Sequence, residues 1–364
     1  MQFILGVIAI LLAFSVYAFF IEPSRLKQRH YLIRKNKQRV LDISDAYDMF
    51  TQEGDVTIAH ISDLHFSRWS KPRRLNKIIR SIMEMQPDII VFTGDLIDDY
   101  KHWPKKQTDR LIEKLKRLKA PMGKIAVLGN HDYKHGGQYF VKEVLKEAGF
   151  TTLVNEEVFG SDAKISMNIV GIDDLSGGSP SYNFESTLAE WHILLAHQPD
   201  QIEAIHSLDQ YDLVLSGHSH GGQIRLPYLY IKTQGAKRYT DSLYLPTKNT
   251  ILSVNTGVGM TMIPARFGVP PEIIYYHLSN KRQIFENFDG NFNFEKQITV
   301  EKNEGTPEET KNEYIAPDRK TVPQTPTDIP TNPNANPEDK PEDKTDKIVD
   351  INLFRRRYKN KKII

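Results

Sequence analysis

Cysteine is absent from all 364 residues of the sequence. This absence excludes a disulfide framework, a thiolate metal site and a cysteine nucleophile. It is compatible with either side of a membrane, so it leaves the compartment open. Any metal site in this chain must be built from histidine, aspartate and asparagine side chains.

An excess of one charge sign is also absent, because 48 Lys and Arg residues face 46 Asp and Glu residues. A nearly neutral chain has no global field that attracts nucleic acid, and we expect no nucleic-acid partner. The basic residues are concentrated locally instead, between Arg25 and Arg39.

Charged side chains are missing from Phe3 to Ile21. At about 1.5 Å per residue, such a run crosses most of a hydrocarbon core of roughly 30 Å. We interpret residues 1–22 as a transmembrane anchor. The alternative is a cleaved signal peptide, but no Lys or Arg precedes the apolar run and its end, Tyr17 to Ile21, is bulky.

Residues 23–50 are predicted to be a basic juxtamembrane linker. Positive charge next to a span favours the cytoplasmic side and anionic lipid head groups. We therefore predict a single-pass protein of the cell membrane whose main domain is cytoplasmic. The alternative is an exported domain, because large domains cross membranes largely regardless of charge.

A folded domain is predicted over residues 51–282, because five apolar, strand-like runs there each end in a polar motif. Ligand sites in open α/β sheets lie beyond the carboxyl ends of strands, so we expect these motifs to converge. The motifs are Asp63-Leu-His65, Gly94-Asp95, Gly129-Asn-His-Asp132, His197 and Gly217-His-Ser-His220.

The order of elements indicates an α/β fold. Strands alternate with three helical patterns over Pro72–Met85, Thr108–Leu118 and Gln138–Ala148, and later runs read as strands in hairpin-like order. This order suggests two mixed sheets packed face to face with helices outside. Residues 283–347 are rich in Pro, Thr and charge and are predicted to be disordered, and residues 348–364 form a short apolar and basic segment.

Seven side chains in the motifs are candidate metal ligands. Asp63 and His65 share an i, i+2 spacing with His218 and His220, and residues two apart on extended chain project to the same side. Imidazole and carboxylate together suit Zn, Mn or Fe, and seven ligands suit two ions with a bridging Asp95. Two ions about 3.5–4 Å apart activate water for phosphoryl hydrolysis. The candidates are Asp63, His65, Asp95, Asn130, His197, His218 and His220.

Together the motifs resemble the signature of the calcineurin-like metallophosphoesterase superfamily, over about Thr57 to Leu278. The stretch from Gly217 to Pro227 is similar to a bacterial branch of membrane-associated or exported phosphodiesterases. Some relatives in that branch hydrolyse the pyrophosphate of a nucleotide-linked lipid precursor. The resemblance implies a four-layer α-β-β-α sandwich with two mixed sheets.

The resemblance also implies residue roles. Asp63, His65 and His220 would hold one ion and Asn130, His197 and His218 the other, with Asp95 between them. His131 would face the substrate as a proton donor or charge stabiliser, and Asp132 would orient it.

We therefore expect a membrane-anchored hydrolase that uses two divalent ions to cleave a phosphodiester or pyrophosphate. Anchoring raises the further hypothesis of a lipid-linked substrate. One alternative is an exported phosphoesterase that faces the cell wall. The other is a non-catalytic metal-binding scaffold, which the complete ligand set disfavours.

Overall fold

The computed structural model describes residues 1–35, 39–45, 47, 55–67, 70, 74–161, 165–185, 187–226 and 229–280. The predictions for residues 283–347 and 348–364 lie outside these described residues. The described residues form two large β-sheets, a two-stranded hairpin and the helices that cover the large sheets.

The first sheet has seven strands in the order β2-β1-β15-β3-β4-β5-β6. Strands β3 to β6 are parallel, β15 is antiparallel to β3, and β1 is parallel to β15. The strands are β1 (Lys27–Arg34), β2 (Arg39–Asp42), β3 (Val56–Ile61), β4 (Ile89–Phe92), β5 (Gly123–Ala126), β6 (Thr151–Thr152) and β15 (Glu272–Ser279).

The second sheet has six strands in the order β13-β14-β10-β9-β8-β7. Its four central strands are parallel, and both edge strands are antiparallel to their neighbours. The strands are β7 (Glu156–Ser161), β8 (Ser166–Gly171), β9 (Trp191–Leu195), β10 (Leu213–Ser216), β13 (Ser242–Tyr244) and β14 (Ile251–Val254). A separate hairpin consists of β11 (Arg225–Leu226) and β12 (Leu229–Tyr230).

Both faces of the first sheet are buried, which explains why its strands read as continuous apolar runs. In β4, Ile90 and Phe92 pack against helices, whereas Ile89 and Val91 pack against the second sheet. The covering helices are α2 (Leu75–Met85), α3 (Thr108–Leu115), α4 (Asn130–Tyr133) and α5 (Gly137–Glu147).

The outer face of the second sheet is covered by short 3-10 helices over Pro199–Ala204 and Leu208–Gln210. Two mixed sheets therefore form the middle layers, and helical segments form the outer layers. The predicted α/β sandwich is confirmed.

The N-terminal helix α1 spans Gln2–Val16 and continues through a π-helical turn (Tyr17–Ile21) and a 3-10 turn (Glu22–Ser24). By length and composition it is the one helix among the described residues that suits a membrane crossing. Its last turns dock on the domain: Ala18 is buried and its carbonyl accepts the N–H of Arg266 at 2.9 Å.

The prediction that residues 23–50 form a linker is wrong for their central part, because β1 is an internal strand of the first sheet. Tyr31, Leu32 and Ile33 are buried, and each side chain of this kind stabilises the fold by roughly 1.5–3 kcal/mol. Arg29 pairs with Glu272 of the neighbouring strand at 2.6 Å. A soluble form of the domain must therefore begin before β1.

Candidate metal centre

The predicted site residues follow the carboxyl ends of five strands, three in the first sheet and two in the second. The structure brings all seven candidate ligands together where these strand ends meet. Three overlapping clusters have ligand atoms within 4.8 Å of one another. They are Asp63 with His65 and His220, His65 with Asp95 and His131, and Asp95 with His197 and His218.

In the first cluster, the imidazoles of His65 and His220 face each other. Nε2 of His65 lies 2.9 Å from Nε2 of His220. Oδ1 of Asp63 lies 3.7 Å from the first of these nitrogens and 3.4 Å from the second. Three donor atoms of the types that bind Zn, Mn or Fe thus surround one small volume.

A second group of donor atoms is built in the same way around His197. Its Nε2 lies 3.2 Å from Nδ1 of His218 and 3.2 Å from Oδ1 of Asn130. Asp95 lies between the clusters, since its Oδ2 is 3.3 Å from Nε2 of His197 and 3.4 Å from Nε2 of His65. Asp95 is therefore the one carboxylate among the described residues that joins both groups.

In the rings of His197 and His218, the nitrogen that points away from the site is hydrogen-bonded to a backbone carbonyl. This bond assigns the tautomer of each neutral ring. Nδ1 of His197 donates to the carbonyl of Thr93 at 2.6 Å, and Nε2 of His218 donates to the carbonyl of Gln234 at 2.7 Å. In neutral imidazole the other nitrogen is then an acceptor. Two acceptors 3.2 Å apart repel unless a proton or a metal ion lies between them, and carbonyl-fixed imidazoles are characteristic of metal ligands. The residues fit a metal ion.

The charges of the site also favour a cation. Asp63 and Asp95 are almost fully buried. Burial raises the pKa of each, but His220 and the hydrogen bond with His65 lower that of Asp63, and His197 and His131 lower that of Asp95, so both lie below their ordinary value. Both carboxylates are thus ionised at neutral pH. Burial lowers the pKa of His218 and His220, which keeps their rings available as neutral ligands. Burial also lowers the pKa of His65 and His197, but Asp63 and Asp95 outweigh it and raise that of His65 to about 9 and that of His197 above its ordinary value, so a metal ion at these two rings displaces a proton.

The backbone of the site is strained. The φ angles are 53° at Asp63, 43° at His65, 60° at Asp95, 67° at His218 and 50° at His220. Residues with side chains seldom adopt this left-handed region, and such strain clusters where function requires it. Five of the seven candidate ligands share it.

Glycine is required at Gly217 by close approach. A Cβ atom there would lie 1.9 Å from Oγ of Ser62 and 2.4 Å from Oδ2 of Asp63. Only a residue without a side chain lets the two motifs that carry Asp63 and His218 come together.

His131 lies at the rim of the site, with its ring edge-on to that of His65 at 4.6 Å between centroids. Its Nδ1 lies 2.8 Å from the carbonyl oxygen and 3.1 Å from Oδ1 of Asp98. The ammonium group of Lys134 is within 3.1 Å of the ring. Asp98, and not Asp132, is therefore the residue that orients His131.

Asp132 has a different task from the one the sequence suggested. Its carboxylate accepts the backbone N–H groups of Asp95 and Leu96 at 2.8 Å and of Gly129 at 3.0 Å. It is fully buried and fastens the loop after β4 to the loop after β5. Asp132 thus holds Asp95 in place and acts through the backbone.

The loop between β14 and β15 supports the site and was not predicted to do so. The N–H of Gly259 donates to the carbonyl of Asp63 at 2.7 Å. The buried guanidinium of Arg266 donates to the carbonyls of Thr256, Gly257, Gly259 and Val269. No polar spacing in the sequence marks this loop, because every contacting group except the Arg266 guanidinium is a main-chain atom.

Residues 56–222 match the profile of the calcineurin-like phosphoesterase family. The chain is 36% identical to the metallophosphoesterase YkuE of Bacillus subtilis over 273 residues, which are 72% of this chain and 89% of that protein. The chain belongs to the calcineurin-like phosphoesterases. It is thus a metal-dependent phosphoesterase, and its clustered histidines and carboxylates fit the dimetal centre that the family uses.

Two further relatives of this phosphoesterase carry informative names. The metallophosphoesterase YkoQ of Bacillus subtilis is 34% identical over 64% of this chain and 87% of that protein. The UDP-2,3-diacylglucosamine pyrophosphatase LpxG of Chlamydia muridarum is 31% identical over 60% of this chain and 82% of that protein.

Proposed function

We propose that the chain is a membrane-anchored phosphohydrolase with two divalent ions, Mn, Zn or Fe. Asp63, His65 and His220 hold one ion, and Asn130, His197 and His218 hold the other. Asp95 contributes to both. The observation that carries this proposal is the convergence of imidazole nitrogens on two small volumes that the Asp95 carboxylate connects.

The residues around the ions divide the remaining work. Bound ions supply an activated water and neutralise charge on the phosphoryl group. His131, partly exposed at the rim, contacts the phosphoryl group or the leaving oxygen and donates a proton to it. Asp98 fixes the direction of the His131 ring, and Asp132 fixes the loop of Asp95.

We propose a phosphodiester or pyrophosphate with a lipid part as the substrate. The name of the LpxG relative, a pyrophosphatase of a diacylated nucleotide sugar, supports this choice. The apolar helix α1 supports it too, because an enzyme held at a bilayer meets lipid head groups at high effective concentration.

Metal removal tests the proposed chemistry. We expect a chain that starts at Leu26, stripped with a chelator, to lose phosphodiester hydrolysis and to regain it with Mn, Zn or Fe at two ions per chain.

In detergent–lipid mixed micelles, the full chain should cleave a diacylated pyrophosphate faster than the matching soluble pyrophosphate. Faster turnover of the soluble compound contradicts the lipid substrate, and a chain that binds no metal favours the scaffold alternative.

We also propose that the catalytic domain lies in the cytoplasm, since Arg25, Lys27 and Arg29 directly follow α1. Protease added to intact cells should leave the domain whole, and the same protease should degrade it after lysis. Loss of the domain from unlysed cells contradicts this orientation and supports an exported, wall-facing enzyme.

A further inference from the structure

An apolar tip protrudes from the loop between β14 and β15. Met262 and Ile263, which we call the apolar tip, are 96% and 51% exposed. The tip is held firmly, because the side-chain amide of Gln223 donates to the carbonyls of Thr261 and Ile263 and accepts the N–H of Thr261. An exposed apolar pair on a rigid loop is available to an apolar partner.

The backbone at Met262 supports this interpretation. Its φ of 56° lies in the left-handed region, which a long side chain rarely adopts. The strain is not offset by burial of the side chain, which remains almost wholly exposed. Such strain clusters where function requires it, which fits a side chain presented outside the folded domain.

The position of the loop relative to α1 identifies the partner. Phe267 packs against Phe14 with 4.6 Å between ring centroids and against Tyr17 with 5.8 Å. An apolar core of roughly 30 Å takes about 20 helical residues, so a span that begins at Gln2 ends near Ile21. Phe14 and Tyr17 then lie about 10 Å and 6 Å inside that end. In a chain anchored by α1, a loop that touches them lies at the depth of the bilayer.

We propose that the apolar tip enters the lipid bilayer beside α1 and holds the metal centre against the membrane surface. The inference rests on the proposed membrane anchoring and deepens it, because the domain itself becomes a lipid-binding surface. Two links join the tip to the centre. Gln223 follows the candidate ligand His220 by three residues, and Gly259 of the same loop donates to the carbonyl of Asp63. Substrate therefore reaches the site from the lipid head groups.

Single-cysteine labelling tests this contact, and the natural absence of cysteine makes it specific. Met262→Cys in the full chain is labelled with the environment-sensitive fluorophore NBD and reconstituted into phosphatidylcholine–phosphatidylglycerol vesicles. The matched control is Leu188→Cys. Leu188 is fully exposed and precedes β9, at the end of the strand opposite to His197.

We expect the emission of the label at position 262 to shift to the blue and to be quenched by brominated lipid, and that at 188 to be quenched by aqueous iodide. If iodide quenches both positions equally in chains that float with the vesicles, insertion of the apolar tip is wrong but membrane anchoring by α1 is supported. If the chains do not float with the vesicles, insertion of the tip and anchoring are both wrong. Metal-dependent hydrolysis of a soluble phosphodiester by the same samples reports on the chemistry separately, since neither residue belongs to the catalytic machinery.

Discussion

Replacing Asp95 by asparagine is expected to lower turnover by about a thousandfold or more, because charge stabilisation in a dry site is a large part of such catalysis. Asp95 is the carboxylate common to both ligand clusters, at 3.4 Å from His65 and 3.3 Å from His197. An amide of the same shape keeps an oxygen for the N–H of His131, which Oδ1 now accepts at 2.8 Å, but it removes the negative charge. Metal content should fall below two ions per chain.

Asp99→Asn is the matched control for this variant. Asp99 is four residues further along the same loop and also contacts histidines, with 3.0 Å to His102 and 2.8 Å to His135. Its contacts lie at the exposed rim, where ion pairs contribute little, so we expect nearly unchanged activity and metal content. Metal analysis and initial rates with a phosphodiester distinguish the two variants. A fully active Asp95→Asn protein with two ions would contradict the proposed bridge.

Most of the site was predictable because its residues follow buried strands. A run such as Ile89–Phe92 is recognisable by its apolar side chains on both faces, and the sheet then dictates where its carboxyl end lies. Asp63, Asp95 and His197 could therefore be expected to converge before any distance was known. The left-handed backbone of five ligands could not be predicted, because it follows from the packing of several loops.

Strand β1 was missed for a physical reason. Its first half carries Lys27, Gln28 and Arg29, which have the character of a basic linker, and only Tyr31 to Ile33 are apolar. The strand pairs with β15, whose residues lie about 245 positions later in the chain; Lys27 is opposite Glu272. Local pattern carries no information on a partner so distant, and the Arg29–Glu272 ion pair becomes visible only in the folded sheet.

The sequence analysis gave Asp132 the task of orienting His131 because adjacency in the chain was taken for contact. Asp132 is next to His131 in the chain, but α4 begins at Asn130 and turns the two side chains apart. Asp98 comes from another loop and reaches Nδ1 of His131. Short helices after strands thus decide which neighbour in sequence becomes a neighbour in space.

His131→Gln and Asp132→Asn are expected to fail in different ways. His131→Gln should lower kcat by about a hundredfold to a thousandfold, the usual range for a group that transfers a proton or stabilises charge, with both metal ions retained.

Asp132→Asn should lower the stability of the fold instead. Its carboxylate accepts four backbone N–H groups, and an amide presents its own N–H donors to some of them, which costs about 1–3 kcal/mol for each bond lost.

Two measurements distinguish these variants: thermal unfolding of the metal-free chain, and hydrolysis rates at saturating metal. Asp132→Asn should unfold at a lower temperature and recover much of its activity when metal is raised, because the loop of Asp95 is loosened but its chemistry is intact. His131→Gln should unfold like the parent chain and stay slow at every metal concentration. Loss of an ion from His131→Gln would instead show that this ring is a ligand together with His65 and Asp95, whose ligand atoms lie within 4.8 Å of its own. The substrate-facing role would then belong to another rim residue, with Lys134 next to the same ring.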